Sequence, residues 1–212
     1  MGAILSIFET IFDALFPPRK SELLLRHTPD ISFDRLVRLI VREDVEALLP
    51  YGDPRTMALI WELKYYGSMK AALIGGRALA SHIEGLLAEE MLERPVLVAV
   101  PLHATRLKER GYNQAERLAH ACAVRLGRAV SYAPEALLRV RKTERQTDLP
   151  RRKRLANVRG AFEVARRSAV VGRTCILIDD VLTTGSTLSE AADVLRKAGA
   201  RQVFPIALAY AE

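Results

Sequence analysis

Two adjacent carboxylates, Asp179 and Asp180, end an apolar run and precede a turn of small hydroxyl residues in the stretch ILIDDVLTTGST. Cys175 to Val181 has the length and β-branching of a buried strand. Thr187 to Ala198 spaces Leu188, Ala191, Ala192 and Leu195 along one helical face. Open α/β sheets bind ligands at the carboxyl edge of such strands. Thr183, Thr184, Gly185, Ser186 and Thr187 offer that edge backbone N–H groups, hydroxyls and a positive helix terminus, and Gly185 permits close approach, a combination suited to a phosphate. Alternation along the strand sends Asp179 and Asp180 to opposite sides. They can therefore reach two groups of one ligand, such as adjacent sugar hydroxyls, directly or through Mg²⁺. The glycine spacing fits neither a Walker loop nor a dinucleotide fingerprint. An ordinary helix cap needs neither two carboxylates nor four hydroxyls around one glycine.

Other residues supply positive charge. After the apolar run VLVAVP, the segment LHATRLKERGYNQ carries Arg106, Lys108 and Arg110, which suit a diphosphate, with the amides of Asn113 and Gln114 beside them. Lys64 is a lone cation in LKYYG. His103 adjoins this group as a pyrophosphate contact or proton carrier, while His27, His82 and His120 show no metal spacing. Residues 139 to 159 hold nine basic and two acidic side chains, so that 23 basic and 23 acidic residues remain in the rest of the chain. The basicity is thus one segment, suited to a small polyanion. It contains no aromatic residue on which to stack the bases of a single strand. Trp61, Tyr65 and Tyr66 are expected in the core or an interface.

The elements that must hold these groups follow from the 212 residues as a whole. The length suits one domain. Cys122 and Cys175 are far apart, which supports neither a disulfide framework nor a cysteine zinc site and points to a reducing cytoplasm. Ile4, Leu5, Phe8, Ile11, Phe12 and Leu15 line one face of an N-terminal helix stopped by Pro17-Pro18. Glu9 and Asp13 interrupt it, it is too short to span a membrane, and its stripe is expected to dock on the domain, a partner or a dimer mate. Helices are expected near Phe33 to Leu49, Arg55 to Tyr65 and Met69 to Glu90, then a strand at Val96 to Pro101. Asn113 caps a helix with the stripe Ala115, Leu118, Ala119, Cys122 and Leu126, ended by Gly127. Short strands at Ala129 to Tyr132 and Gly160 to Val164 precede the signature, and QVFPIALAY closes a βαβ unit. The expected class is α/β, a largely parallel sheet covered by helices on both faces. A helical extension over residues 1–50 would precede a domain over residues 51–212.

The signature resembles the phosphoribosyl-pyrophosphate (PRPP) motif of the type I phosphoribosyltransferase fold. ELKYYG, AVPLHATRLKERGYNQAERLA and LLRVRKTERQTDLPRRKRLANVRGAF are similar to segments of the ComF family, which is associated with competence for DNA uptake. The likeness runs from about Tyr51 to the C-terminus. It implies that Asp179 and Asp180 hold the ribose hydroxyls and, through PRPP, Mg²⁺, while residues 183–187 wrap the 5′-phosphate. It also implies a pyrophosphate role for Lys64, His103, Arg106 and Arg110, and a closing hood over residues 139–159 with Arg139, Arg141, Lys142, Gln146, Arg154 and Asn157 at family-like positions. IFDALFPP resembles the family's opening segment, but RKSELLLRHTPD follows where a four-cysteine zinc ribbon often stands, so no zinc is expected. The implied activity is phosphoribosyl transfer to a small base-like acceptor with release of pyrophosphate. Two other roles fit the resemblance: a catalytically weak competence accessory contacting a helicase or single-stranded DNA, and a sensor of PRPP or a nucleotide. The family further implies a cytoplasmic protein, possible as a homodimer.

Overall fold

The computed structural model describes residues 18–142 and 157–211. The expected N-terminal helix, with Gln146 and Arg154, lies outside those residues. Among them, one six-stranded sheet runs in the order β1-β2-β8-β7-β3-β4. Its strands are β1 (Ile40–Arg42), β2 (Val45–Pro50), β3 (Val96–Ala99), β4 (Ser131–Tyr132), β7 (Thr174–Leu182) and β8 (Gln202–Tyr210). β1 is antiparallel to β2, and every other pairing is parallel. A separate antiparallel pair, β5 (Leu137–Arg139) and β6 (Phe162–Val164), brackets the basic segment.

The sheet is apolar on both faces because helices cover both. On one side Leu97, Ile176, Ile178 and Leu208 meet α3 (Pro54–Tyr65), α4 (Met69–Glu89) and α6 (Gln114–Leu126). On the other, Val96, Val98, Cys175 and Leu177 meet α7 (Ser186–Lys197) and the β5–β6 pair. The α6 stripe predicted from its spacing is wholly buried, as are Leu188, Ala191, Ala192 and Leu195 of α7. Helices α4 and α6 pack closely enough that a Cβ on Gly76 would lie 2.6 Å from Ala121 Cβ and 3.0 Å from the Cys122 backbone nitrogen. Ile178 is fully buried, and Ile178→Ala is expected to cost about 2–5 kcal/mol.

The region before residue 50 corrects the sequence reading. Short helices α1 (Lys20–His27) and α2 (Ile31–Asp34) are present, but the helix expected over Phe33 to Leu49 is replaced by the β1–β2 hairpin. β2 pairs with β8, so the sheet begins ahead of the boundary placed between residues 50 and 51. The hairpin turn is Glu43-Asp44, both at positive φ (50° and 62°). Such turns favour Asn-Gly or Asp-Gly, and without a glycine the apolar residues on either side resemble helical periodicity.

Candidate active site

The carboxyl ends of β3 and β7 open into a cleft of about 500 Å³. The parity seen in the core continues to the cleft floor. Asp180 shares a face with Ile176 and Ile178, toward α3, and Asp179 shares one with Cys175 and Leu177, toward the β5–β6 pair. Lys64, at the end of α3, places its Nζ 3.4 Å from Asp180 Oδ2. That oxygen is buried and accepts no hydrogen bond among the described residues. Asp179 Oδ1 accepts a 2.8 Å bond from the Asp180 N–H. Burial, then the neighbouring Asp180 carboxylate, pushes the Asp179 carboxyl up to about 7, and Lys64 and Arg139 oppose this only in part. Burial lowers the affinity of Lys64 for its proton, but Asp180 and Asp179 more than offset that, and its net shift is upward.

The phosphate-type loop takes the predicted form. Gly185 sits at φ +82°, a conformation glycine adopts without strain, and no side chain caps α7. The positive end of α7 thus stands at the cleft without a side-chain cap, as an anion site needs. Thr183 and Thr187 line the cleft, and the Thr184 and Ser186 hydroxyls share a 2.8 Å hydrogen bond.

Beyond β3, the helix α5 (Ala104–Arg110) presents Arg106 and Arg110 to the cleft, with Gln114 beside them. Arg110 donates to the Gln114 side-chain oxygen, which fixes the guanidinium. His103 instead caps α5, its Nδ1 accepting from the Thr105 N–H at 3.3 Å, and it does not line the cleft. Asn113 is likewise committed: it accepts from the Ala115 N–H and donates to the Val100 carbonyl at 3.0 Å, tying α6 to the end of β3. Arg141 donates to the backbone carbonyls of Asn157 and Arg159, closing the base of the basic segment. Neither Arg141 nor Asn157 lines the cleft.

Arg139, the last residue of β5, does line it. Burial lowers its pKa, Arg106 and Arg141 add to the effect, and Asp179 opposes it. Tyr65 also lines the cleft, and Trp61, Tyr65 and Tyr66 are 46%, 59% and 48% exposed, so they are not core residues. Met57, Trp61 and Tyr65 recur every four residues on α3, a spacing that the sequence alone cannot distinguish from a buried stripe. Glu109 on the cleft wall carries no sequence signal at all.

A largely parallel sheet with acidic strand ends, an uncapped helix start and a cationic rim is the architecture of the phosphoribosyltransferase fold. Residues 76–211 match the family described as phosphoribosyl transferase domain, and the chain belongs to that family. Its relatives are consistent with the resemblance to the ComF family. It is 33% identical over 153 residues to DNA utilization protein YhgH of Salmonella typhi, covering 71% of this chain and 65% of that protein. It is 35% identical over 108 residues to competence protein F of Haemophilus influenzae, covering 50% and 46%. The chain thus spans just under two thirds of the YhgH length. Among solved structures, phosphoribosylpyrophosphate synthetase from Mycobacterium smegmatis aligns at 24% identity and a TM-score of 0.41, over 64% of this chain and 33% of that one. Among the described residues no helix is long and apolar enough to cross a membrane.

Proposed function

We propose that the protein binds PRPP with Mg²⁺ and transfers its phosphoribosyl group to a base-like acceptor. The observation that carries this reading is the buried Asp180 Oδ2, which faces Lys64 at the cleft floor and accepts no hydrogen bond. A buried acceptor without a hydrogen bond costs roughly 1–3 kcal/mol, and a ribose hydroxyl entering the cleft would supply one. Asp179 would take the neighbouring hydroxyl, and the Thr183–Thr187 loop the 5′-phosphate.

The donor set also bears on the metal. No group of three or more His, Cys, Asp or Glu side chains able to hold a metal ion occurs among the described residues. Two carboxylates beside a lysine suit Mg²⁺ carried in on PRPP oxygens and waters better than a cage built by the protein. When bound, the ion would neutralise charge on the departing pyrophosphate.

In the reaction, the bond from the anomeric carbon to pyrophosphate breaks with its electron pair leaving on oxygen. The acceptor nitrogen supplies the pair for the new C–N bond, and any proton it carries leaves to solvent. Arg106, Arg110 and Lys64 would stabilise the leaving group. Asp179 and Asp180 would fix the ribose and face the positive charge that develops on it. The exposed Tyr65 ring offers a flat apolar surface to the acceptor.

Thermal unfolding with PRPP and Mg²⁺ tests the site. Ligand at about 100 times its dissociation constant should stabilise the wild type by ~2.7 kcal/mol, and Asp179→Asn/Asp180→Asn should abolish the shift. A folded wild type with no shift at saturating PRPP would overturn the reading. Pyrophosphate release with a panel of bases then separates transfer from binding.

A further inference from the structure

The opposite edge of the sheet carries a second charged surface. Arg94, Arg173 and Arg201 stand just ahead of β3, β7 and β8, which are adjacent in the sheet, so they enter side by side at about 4.8 Å per strand. Hydrogen bonds stitch the surrounding loops together. Arg173 donates to the Arg94 carbonyl and to Ser131 Oγ, each at 3.0 Å. The Arg201 N–H donates to the Arg173 carbonyl at 2.9 Å. Arg167 reaches the Ala198 carbonyl at 3.4 Å, which brings Arg166 and Lys197 to the same edge.

Five of these six cations are exposed and Arg173 is half-buried. None forms an ion pair with a carboxylate among the described residues. Elsewhere on the surface Arg19, Arg26, Arg55, Arg77 and Arg196 form such pairs, while Arg35, Arg38 and Arg125 do not. Glu89, Glu90 and Glu93, at the end of α4 and just beyond it, likewise form no ion pair. Lys197 offsets the carbonyl end of α7, but the five arginines lie outside α-helices. Their hydrogen-bond partners are neutral oxygens, so no carboxylate offsets their charge, and all but Arg173 present it to solvent.

We propose that this edge is a docking surface for the phosphate backbone of a nucleic acid, separate from the cleft. Arginine supplies five of the six charges, and its planar fork matches two phosphate oxygens at once. A row of such forks following successive strands suits a repeating phosphate chain better than a single compact anion.

Fluorescence anisotropy of labelled oligothymidine and of a duplex, each titrated at several salt concentrations, tests this. The wild type should bind at low salt. Arg166→Gln/Arg167→Gln/Arg201→Gln should weaken binding at least tenfold and flatten the log–log salt slope by about 2 for the single strand, at ~0.7 for each phosphate no longer neutralised. The PRPP-induced thermal shift of the triple variant should equal that of the wild type. Arg201→Gln alone should flatten the slope by about 0.7, and it serves if the triple variant unfolds. Unchanged binding by these variants would overturn the proposal, as would loss confined to Arg141→Gln/Lys142→Gln beside the cleft. So would a wild type that binds neither oligonucleotide, or that binds only anionic vesicles.

Discussion

Helix α3 presents two cation–carboxylate pairs two residues apart, and they are built to different standards. At Glu62 the carboxylate is 1% exposed, and Arg19 donates to both oxygens at 3.0 and 2.8 Å while Ser21 adds a 2.6 Å bond. Burial raises the pKa of Glu62, but the hydrogen bonds from Arg19 and Ser21 outweigh it and the net shift is downward. At Lys64 the opposite holds: the cation stands 3.4 Å from Asp180 Oδ2, that oxygen accepts no hydrogen bond, and Asp179 next to it is held well above the ordinary carboxylate range. Each pair holds a buried carboxylate, Glu62 in one and Asp180 in the other, so burial of the acid does not distinguish them. Satisfaction does: Glu62 is closed to any ligand and fastens α1 to α3, whereas Asp180 Oδ2 is left without a hydrogen bond. A charge that a fold keeps unsatisfied has to be offset elsewhere in its stability, and a ligand recovers that cost on binding.

The largest expected effect breaks the satisfied pair. Arg19→Met leaves Glu62 buried with Ser21 alone and should cost about 3 kcal/mol, read as a fall in the urea midpoint. Glu62→Gln should cost less, because Arg19 is 41% exposed and rehydrates readily. Neither should change the PRPP-induced shift at a temperature where the variant is folded. Loss of that shift in Arg19→Met would mean that the two pairs are one unit and would dissolve the contrast.

The unsatisfied pair should respond with the opposite sign. The folded state holds the Asp179 proton more tightly than the unfolded chain does, so between about pH 4 and pH 7 folding retains a proton that the unfolded state gives up. Stability contributed by the protonated group is therefore present below about pH 4 and lost as pH rises toward 7. Asp179→Asn removes this dependence. Relative to the wild type it should be unchanged near pH 4 and more stable at pH 8 by about 1 kcal/mol or more, since each tenfold difference in proton affinity between the folded and unfolded states is worth ~1.4 kcal/mol. Denaturant midpoints of both proteins across that range test it. A variant equally destabilised at both pH values would show that Asp179 is a structural acceptor for the Asp180 N–H rather than a strained ligand group.

That division also marks how far the sequence could be read. The signature from Ile176 to Thr187 is local: strand, turn and helix are consecutive, so alternation alone placed Asp179 and Asp180 on opposite faces, and the structure puts Lys64 on one side and Arg139 toward the other. The helix stripes were legible for the same reason. What escaped depends on contacts distant in sequence. Glu62 meets Arg19 across 43 residues, and β2 reveals itself only by pairing with β8, more than 150 residues away. Spacing gives His103 a polar side chain near the site, but only backbone geometry shows it used up as a cap, whereas Asn113 was legible as a cap from its place ahead of the α6 stripe. Met57, Trp61 and Tyr65 have a periodicity that indicates one face without saying whether it is covered.

Tyr65 provides the smallest effect and the finest distinction. Its ring lies 4.5 Å from that of Trp61, centroid to centroid, tilted by 47°, so the pair is a supported platform at the cleft mouth. An acceptor that stacks there gains about 0.5–1.5 kcal/mol from ring contact. Tyr65→Ala should then raise the KM for the acceptor about two- to tenfold, and Tyr65→Phe should restore it because the contact needs the ring and not the hydroxyl. PRPP affinity, set by the aspartates and the loop, should be unchanged in both variants. If Tyr65→Ala instead weakened PRPP and acceptor alike, the ring would be holding Lys64 in place, and the unsatisfied pair would extend one residue further along α3 than its charges suggest.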